Sequence, residues 1–292
     1  MRIGLITRDP GHPLLAAATS LLTPEHDVVT LDPETAEADP DPRADIYLLK
    51  ARTPRALALA RALEERGTPV VNSAAATALL QDRTAMAQRA RRAGLPFVGT
   101  RTFATLTELA DGPPLPGPVV VKSRHSRKRD LVARVDGDAD LRELAAAHPQ
   151  EPVVVQEFVP NSGWDHKLWA VGDRLFAALR RSELSPEGRG PTLPLALADL
   201  PPGRPELVRR VGEVFELDVY GVDVIDAGDG SPAIVDINAF PGIRGQSGAP
   251  EALAALALRR TGRPSATEGA ARADGAAPAY GGASAYAGLT PR

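Results

Sequence analysis

The apolar positions of the chain fall into two textures, with a pair of helices between them. In the first, short unbroken apolar runs alternate with stretches of helical period. Residues 2–7 (RIGLIT) read as a buried strand, and His12-Pro13 then opens the helical stretch LLAAATSLL, which stops before Pro24. Further strands are predicted at 27–31, 45–49 and 69–71, with a proline- and acid-rich link over 32–42. Thr53-Pro54 combines an N-cap residue with proline at the first helical position, and ALALARALEER behind it keeps an apolar stripe until Gly67 stops it. Strand, helix, strand, strand, helix, strand predicts an open α/β lobe with a largely parallel sheet over residues 1–73.

Helix formers then occupy 74–93, with a break near Gln81-Asp82 and an end at Gly94 just before Pro96. From 119 to 235 the texture changes to short strands separated by turns (VVVK, DLVARV, PVVVQEF, HKLWAV, RLFAALR, YGVDVI, AIVDIN), interrupted by helices near 138–147 and 205–215. That pattern predicts α+β lobes with mainly antiparallel sheets, closed by a last helix at 249–260. The expected division is an N-terminal α/β lobe (1–73), linking helices with a middle lobe (74–155) and a C-terminal lobe (156–262). A Gly- and Ala-rich tail (263–292) is too poor in apolar surface to order itself.

Composition narrows the chemistry more than the fold. An apolar fraction of 43% over 292 residues is ample for a buried core. No apolar run reaches the ~20 residues a bilayer requires. The first residues lack the pattern of a secretion signal, so a cytoplasmic protein is expected. The absence of cysteine removes thiolate nucleophiles, disulfides and cysteine zinc sites, which leaves oxygen ligands or the five histidines for any metal. The histidines show neither metal-binding nor triad spacing. A net charge of -3 argues against a nucleic-acid surface spread over the whole protein. The basic residues are overwhelmingly arginine, and the lysines are Lys50, Lys122, Lys128 and Lys167, so a lysine at a strand end carries extra weight.

Three segments carry candidate chemistry. Gly221-Val222-Asp223-Val224-Ile225, a turn at Asp229-Gly230, and the run from Ala233 to Gly242 make a hairpin. Asp236 and Asn238, two residues apart on a strand, point to one face. With Asp223 opposite them, three hard oxygen ligands converge as Mg²⁺ requires, and acids inside apolar strands are costly unless partnered. Val119-Val120-Val121-Lys122 ends an apolar strand in an amine able to meet a phosphate as a point charge. VVVQEFVP (153–160), followed by a Gly163 turn and Asp165, reads as an extended strand running into a linker; its edge suits an adenine ring, and Asp165 the ribose hydroxyls.

In this order the segments resemble the ATP-grasp superfamily, particularly its ribosomal-protein glutamate ligase-like branch, over residues 2–260. The resemblance implies an ATP-grasp fold in which two α+β lobes sandwich ATP behind an N-terminal α/β lobe. It implies that Lys122 meets phosphate, that the hinge Gln156-Glu157-Phe158-Val159 holds adenine and that Asp165 binds ribose. Asp223, Asp236 and Asn238 then hold one or two Mg²⁺ ions, with Mn²⁺ as a substitute. Arg83 stands where a phosphate-binding lysine is common, and Asp236 where the branch usually has Glu. The loop after Lys122, normally glycine-rich, is Ser123-Arg124-His125-Ser126-Arg127-Lys128-Arg129, either a solvated charge run or a mobile loop that closes on phosphates or a polyanionic acceptor.

Lys167 shares the face of Asp165 and is placed at a triphosphate or an acceptor carboxylate. Arg180, Arg181 and Arg189 are candidates for the γ-phosphate or ordinary surface arginines, and Arg244 sits where an acceptor binds. Trp164 and Trp169 read as packing residues. The implied activity is ADP-forming C–N ligation through an acyl phosphate, joining a small-molecule or peptide carboxylate to an amine donor, in a protein that forms homo-oligomers like many relatives. The alternative is a kinase acting on a hydroxyl of an anionic, inositol phosphate-like substrate. A non-catalytic nucleotide-binding module would lack a metal ligand or the phosphate lysine, and neither is missing.

Overall fold

The computed structural model describes residues 1–37, 43–127, 130–182, 184 and 190–260, and builds them around three sheets. The expected tail lies outside the described residues, as do Lys128, Arg129 and Arg189. Strand β1 (Arg2–Ile6), helix α1 (Pro13–Leu22), β2 (Asp27–Leu31), β3 (Ile46–Leu49), α2 (Pro54–Glu65) and β4 (Val70–Val71) follow the predicted order. Their strands form a sheet in the order β2-β1-β3-β4, parallel throughout. Both faces are covered, which is why the strands are unbroken apolar runs. Leu14, Leu15 and Ala18 of α1 pack on Ile3 and Leu5, and Ala56, Leu59 and Leu63 of α2 pack on Ile6 and Leu49 on the other side. The Thr53 hydroxyl caps α2, accepting the Ala56 N–H at 3.2 Å.

Helices α3 (Ala74–Leu79) and α4 (Arg83–Arg92) break where expected, at an Asp82 cap that accepts the Thr84 N–H at 2.9 Å. Next come β5 (Thr100–Phe103), α5 (Leu106–Ala110), β6 (Val119–Ser123), β7 (Val132–Val135), α6 (Asp138–Ala147) and β8 (Val153–Glu157). They give an antiparallel sheet in the order β5-β8-β6-β7. Val119, Val121, Val153 and Val155 turn to a core shared with Leu106 of α5 and Leu141 of α6, so Val120, Lys122 and Gln156 are left on the opposite face.

The largest sheet contains β9 (Trp164–Val171), β10 (Arg174–Arg181), β11 (Thr192–Leu195), β12 (Val219–Asp226) and β13 (Pro232–Ala239), with α7 (Arg204–Phe215) before β12 and α8 (Ala249–Arg260) at the end. Its order is β11-β10-β9-β12-β13, antiparallel throughout. Leu168, Val222, Val224 and Ile237 bury one face against α7 and against Met86 and Ala90 of α4. Helix α8 joins α1 in a core with Val171, Phe176 and Val219. The Asn72 amide fastens the first sheet to the largest one: its Nδ2 donates to Val219 O at 2.7 Å, and its Oδ1 accepts the N–H groups of Asp218 (2.8 Å) and Val219 (2.9 Å). Among the described residues no helix is long and apolar enough to cross a membrane.

Candidate active site

The free faces of the middle and largest sheets enclose a cleft of about 1100 Å³, room for a nucleotide and a second small molecule. Register decides which side chains enter it. Lys167 lies opposite Asp223 and Ala178, Asp165 opposite Arg180, Trp169 opposite Gly221, and Asp223 opposite Asp236. Facing residues of an antiparallel pair share a face, so Asp165, Lys167, Asp223, Asp236 and Arg180 all project to the cleft. Strand β13 poses a parity problem, because Ile234, Asp236 and Asn238 would share one face in a regular strand, yet Ile234 is fully buried in the core. A bulge resolves it. Asp236 pairs with Asp223 and Ile234 with Val224, which leaves Val235 without an opposite number and switches the parity between Ile234 and Asp236. The Val235 carbonyl then accepts the Lys122 Nζ at 2.8 Å, a bond between the two sheets.

Lys122 is only 7% exposed, and burial pushes its amine below the ordinary lysine range, with Asp236 opposing that shift. Lys167, 4% exposed, sits 2.6 Å from Asp223 and 3.3 Å from Asp165. Burial raises the Asp165 carboxyl above the usual range, against the charge of Lys167. Asn238 Nδ2 donates to Asp236 Oδ2 at 3.1 Å, leaving the amide oxygen as the donor available to a hard cation. Among the described residues no three His, Cys, Asp or Glu side chains gather as a metal site. The expected set is accordingly two carboxylates and one amide, a short oxygen set that fits a Mg²⁺ ion keeping waters and phosphate oxygens for itself.

The hinge residues Gln156, Glu157, Phe158 and Val159 line one end of the cleft. Gln156 is buried beside Thr100 (3.4 Å), and the N–H groups of Glu157 and Phe158 are taken by Gly99 O and Pro118 O, both at 3.3 Å. The Arg134 guanidinium stacks 4.0 Å over the Phe158 ring while Asp136 holds it at 2.7 Å. Arg134 was missed in the sequence, although alternation along β7 puts it on the face of Val132, opposite Lys122.

Arg83 also lines the cleft, but its Nη1 is bonded to Ser123 O (2.8 Å) and Asp130 (2.7 Å), and its Nε lies 3.9 Å from Asp236. It acts first as a brace between α4 and the start of the basic loop. That loop is not free over its described part. Arg124 grips Asp82 (2.7 Å), Arg127 grips Glu151 (2.7 Å), and Ser126 N–H donates to Gln81 O. Arg181 is not among the residues lining the cleft; its guanidinium sits 5.4 Å over the Trp164 ring, and its neighbour Arg180 lines the cleft instead, because register pairs Arg180 with Asp165. Trp169, read from the sequence as packing, does pack and also forms cleft wall, over Gly221, where a β-carbon would come 3.0 Å from the indole.

At the other end of the cleft Arg244, expected there, is joined by His12, Lys50 and Arg52 of the first lobe. Phe240 takes the left-handed conformation (φ 42°) as β13 ends, and its carbonyl accepts the Lys50 Nζ at 2.7 Å. Burial, with the charges of Arg52 and Arg244, lowers the Lys50 amine to about 8.

Comparison with known proteins identifies this architecture. Residues 101–253, just over half of the chain, match the RimK-like ATP-grasp domain. The chain belongs to that family. A probable alpha-L-glutamate ligase 2 from Shewanella sp. (strain W3-18-1) is 31% identical over 103 residues, 33% of this chain and 33% of that protein, so the match spans about a third of the relative's length. Among solved structures, a RimK domain ATP-grasp protein from Sphaerobacter thermophilus DSM 20745 superposes with a TM-score of 0.68 at 23% identity, covering 88% of this chain and 100% of the other. The ATP-grasp ligase PsnB, complexed with a minimal precursor, Mg and ADP, superposes at 0.64 with 17% identity over 89% of this chain and 97% of the other. At these identities the two structures establish the ATP-grasp fold of this RimK-like chain.

Proposed function

We propose that this RimK-like protein is a Mg-ATP-dependent carboxylate–amine ligase that works through an acyl phosphate. The observation that carries the reading is the opposition, across one cleft, of Lys122 on the middle sheet to Asp223, Asp236 and Asn238 on the largest sheet, with the hinge beside them. The adenine lies at Gln156 to Val159, walled by the stacked Phe158 and Arg134, and Asp165 takes the ribose. Lys122 exchanges its bond to Val235 O for a phosphate oxygen, and Arg83, Arg180 and Lys167 add positive charge nearby. Asp223, Asp236 and Asn238 hold magnesium, which when bound neutralises charge on the terminal phosphates.

The acceptor carboxylate oxygen attacks the γ-phosphorus, the bond to the leaving ADP oxygen breaks, and an acyl phosphate forms. The amine then attacks its carbonyl carbon, a C–N bond forms, inorganic phosphate leaves, and the amine's proton passes to solvent. The chain's own work is positioning and electrostatics, with no protein nucleophile, which suits a sequence without cysteine. The relative named as a glutamate ligase and a PsnB structure complexed with a precursor peptide support an amino-acid or peptide substrate. The alternative of a polyanion kinase draws nothing from Arg124 and Arg127 of the basic loop, which are spent on Asp82 and Glu151; Lys128 and Arg129 lie outside the described residues.

The test is product analysis by mass spectrometry after incubation with Mg-ATP and a pool of amino acids and short peptides, with ADP and phosphate followed in parallel. A condensed mass with ADP and free phosphate is expected. A phosphorylated product with ADP alone would replace the ligase by a kinase, and no nucleotide turnover with any pool would leave a binding module.

A further inference from the structure

We propose that Arg83 and Asp130 are positioning residues for Lys122, and that Arg83 serves the nucleotide through this brace and not by touching phosphate, an inference that rests on the ligase reading for Lys122 as the phosphate ligand. Neither the metal ligands nor the hinge makes any use of Asp130.

Lys122 is the last residue of β6 to face the cleft, and Ser123 behind it is held at every polar atom. The Ser123 N–H donates to Leu131 O at 2.9 Å, its hydroxyl accepts the Leu131 N–H at 3.0 Å, and its carbonyl accepts Arg83 Nη1 at 2.8 Å. The same Nη1 donates to Asp130 Oδ2 at 2.7 Å. Ser123 and Asp130 flank the basic loop, so one guanidinium nitrogen closes its base. The residues around the start of α4 add to the hold. Arg83 N–H donates to Arg124 O at 2.9 Å, Ser126 N–H donates to Gln81 O at 2.8 Å, and Asp82 takes the Arg124 fork at 2.7 and 3.1 Å. A loop with no glycine to wrap bare amides around a phosphate is here fixed by its neighbours instead.

Arg83 is poorly placed to bind phosphate itself. Its side chain is 6% exposed, both hydrogens of Nη1 are in use, and its Nε, buried without a hydrogen-bond partner, lies 3.9 Å from Asp236 Oδ1. The guanidinium therefore stands between Asp130, at the edge of the middle sheet, and Asp236, a proposed metal ligand of the largest one. Asp130 also lines the cleft. A carboxylate there repels a triphosphate, so any help it gives to nucleotide binding passes through the group it holds. Without the Asp130 charge, Arg83 loses the acceptor that keeps its Nη1 at Ser123 O. The strand end that aims Lys122 across the cleft at Val235 O then loses its brace.

The experiment is calorimetric titration of the protein with a non-hydrolysable ATP analogue and Mg²⁺, and the sign of the Asp130→Asn effect is the readout. Charge alone predicts tighter binding, since a negative group beside the triphosphate is removed and Arg83 is released towards it. Positioning predicts binding weaker by about tenfold, with thermal melts showing the variant folded at the titration temperature. Arg83→Lys keeps the charge and loses the fork, so it should weaken the analogue by about the same factor, and it tests the brace even if Asp130→Asn fails to fold. In a Lys122→Ala background Asp130→Asn should change affinity by less than about twofold, because the residue it positions is gone. Equal or tighter binding in Asp130→Asn, full affinity in Arg83→Lys, or an undiminished Asp130→Asn loss without Lys122 would overturn the proposal. An unaltered chain that does not bind the analogue would overturn the ligase reading along with it, so the first titration tells the two failures apart.

Discussion

Lys167 Nζ lies 2.6 Å from Asp223 and 3.3 Å from Asp165, so one buried ammonium neutralises a proposed magnesium ligand and the proposed ribose acid at once. Replacing it by methionine leaves two carboxylates facing each other without a counter-charge, a loss of the order of 3–5 kcal/mol. Thermal melts of Lys167→Met should show that loss, and millimolar Mg²⁺ should recover more of the melting temperature in the variant than in the parent, because a cation can take over the ammonium's electrostatic role. A variant that melts like the parent would mean that the ion pairs contribute no net stability.

Asp236→Ala should reduce ATP-dependent turnover by at least about 10²-fold in kcat. The circular dichroism spectrum should be unchanged, because Asp236 faces the cleft while its neighbour Ile237 carries the core contact. Steady-state kinetics beside the spectrum decide it, and an active variant would remove Asp236 from the metal set.

Lys122→Ala should weaken Mg-ATP binding by about 1.5–3 kcal/mol, the range for hydrogen bonds to charged groups. Equilibrium titration with a fluorescent ATP analogue gives the number. Unchanged affinity would mean that Lys122 keeps its bond to Val235 O in the nucleotide complex and serves only to hold the two sheets together.

Lys50 gives a pH dependence whose sign can be worked out. Burial lowers its amine to about 8, with Arg52 and Arg244 adding to the shift and Asp9 opposing it; His12 faces it too and is itself held below its ordinary value by burial. Below pH 8 the amine is charged and attracts a carboxylate, so the KM for the carboxylate-bearing co-substrate should rise as pH climbs through about 8. The fold feels the opposite trend. The unfolded lysine keeps its proton up to its ordinary value of 10.5, so the cost of burying this charge is present below pH 8 and is relieved between about 8 and 10.5. A KM profile with the same inflection in Lys50→Met would assign it to another group.

Much of this was legible in the chain. The apolar runs gave the parallel sheet because burial on both faces leaves no alternation to misread, and the Thr53 and Asp82 caps were visible as residue types in the right place. Missing were β5 and β11, short strands in which Thr100, Arg101 and Thr102, or Pro194, break the apolar signal; both are edge strands, where such residues are tolerated. Within the cleft, spacing was enough to put Asp236 and Asn238 on one face with Asp223 opposite, and the register brings the three together there. Arg181 was preferred over Arg180 because strand register across the Gly172-Asp173 turn is not written in either residue, and a slip of one position exchanges the faces. His12, Lys50 and Arg52 went unassigned because they meet Arg244 only in three dimensions. A usable hint existed, since His12 and Lys50 each stand just beyond a strand of an open parallel sheet.

The bulge in β13 gives the hairpin a residue that its facing pattern does not need. With Val235 deleted, Ile234, Asp236, Ile237 and Asn238 would alternate regularly, the isoleucines inward and the polar pair outward, as they already are. The side-chain layout would survive a strand one residue shorter, but the carbonyl that takes Lys122 would be gone. Hairpin length is therefore set by a main-chain acceptor rather than by any side chain, and a shortened hairpin should keep its oxygen ligands while releasing the lysine from the opposite sheet.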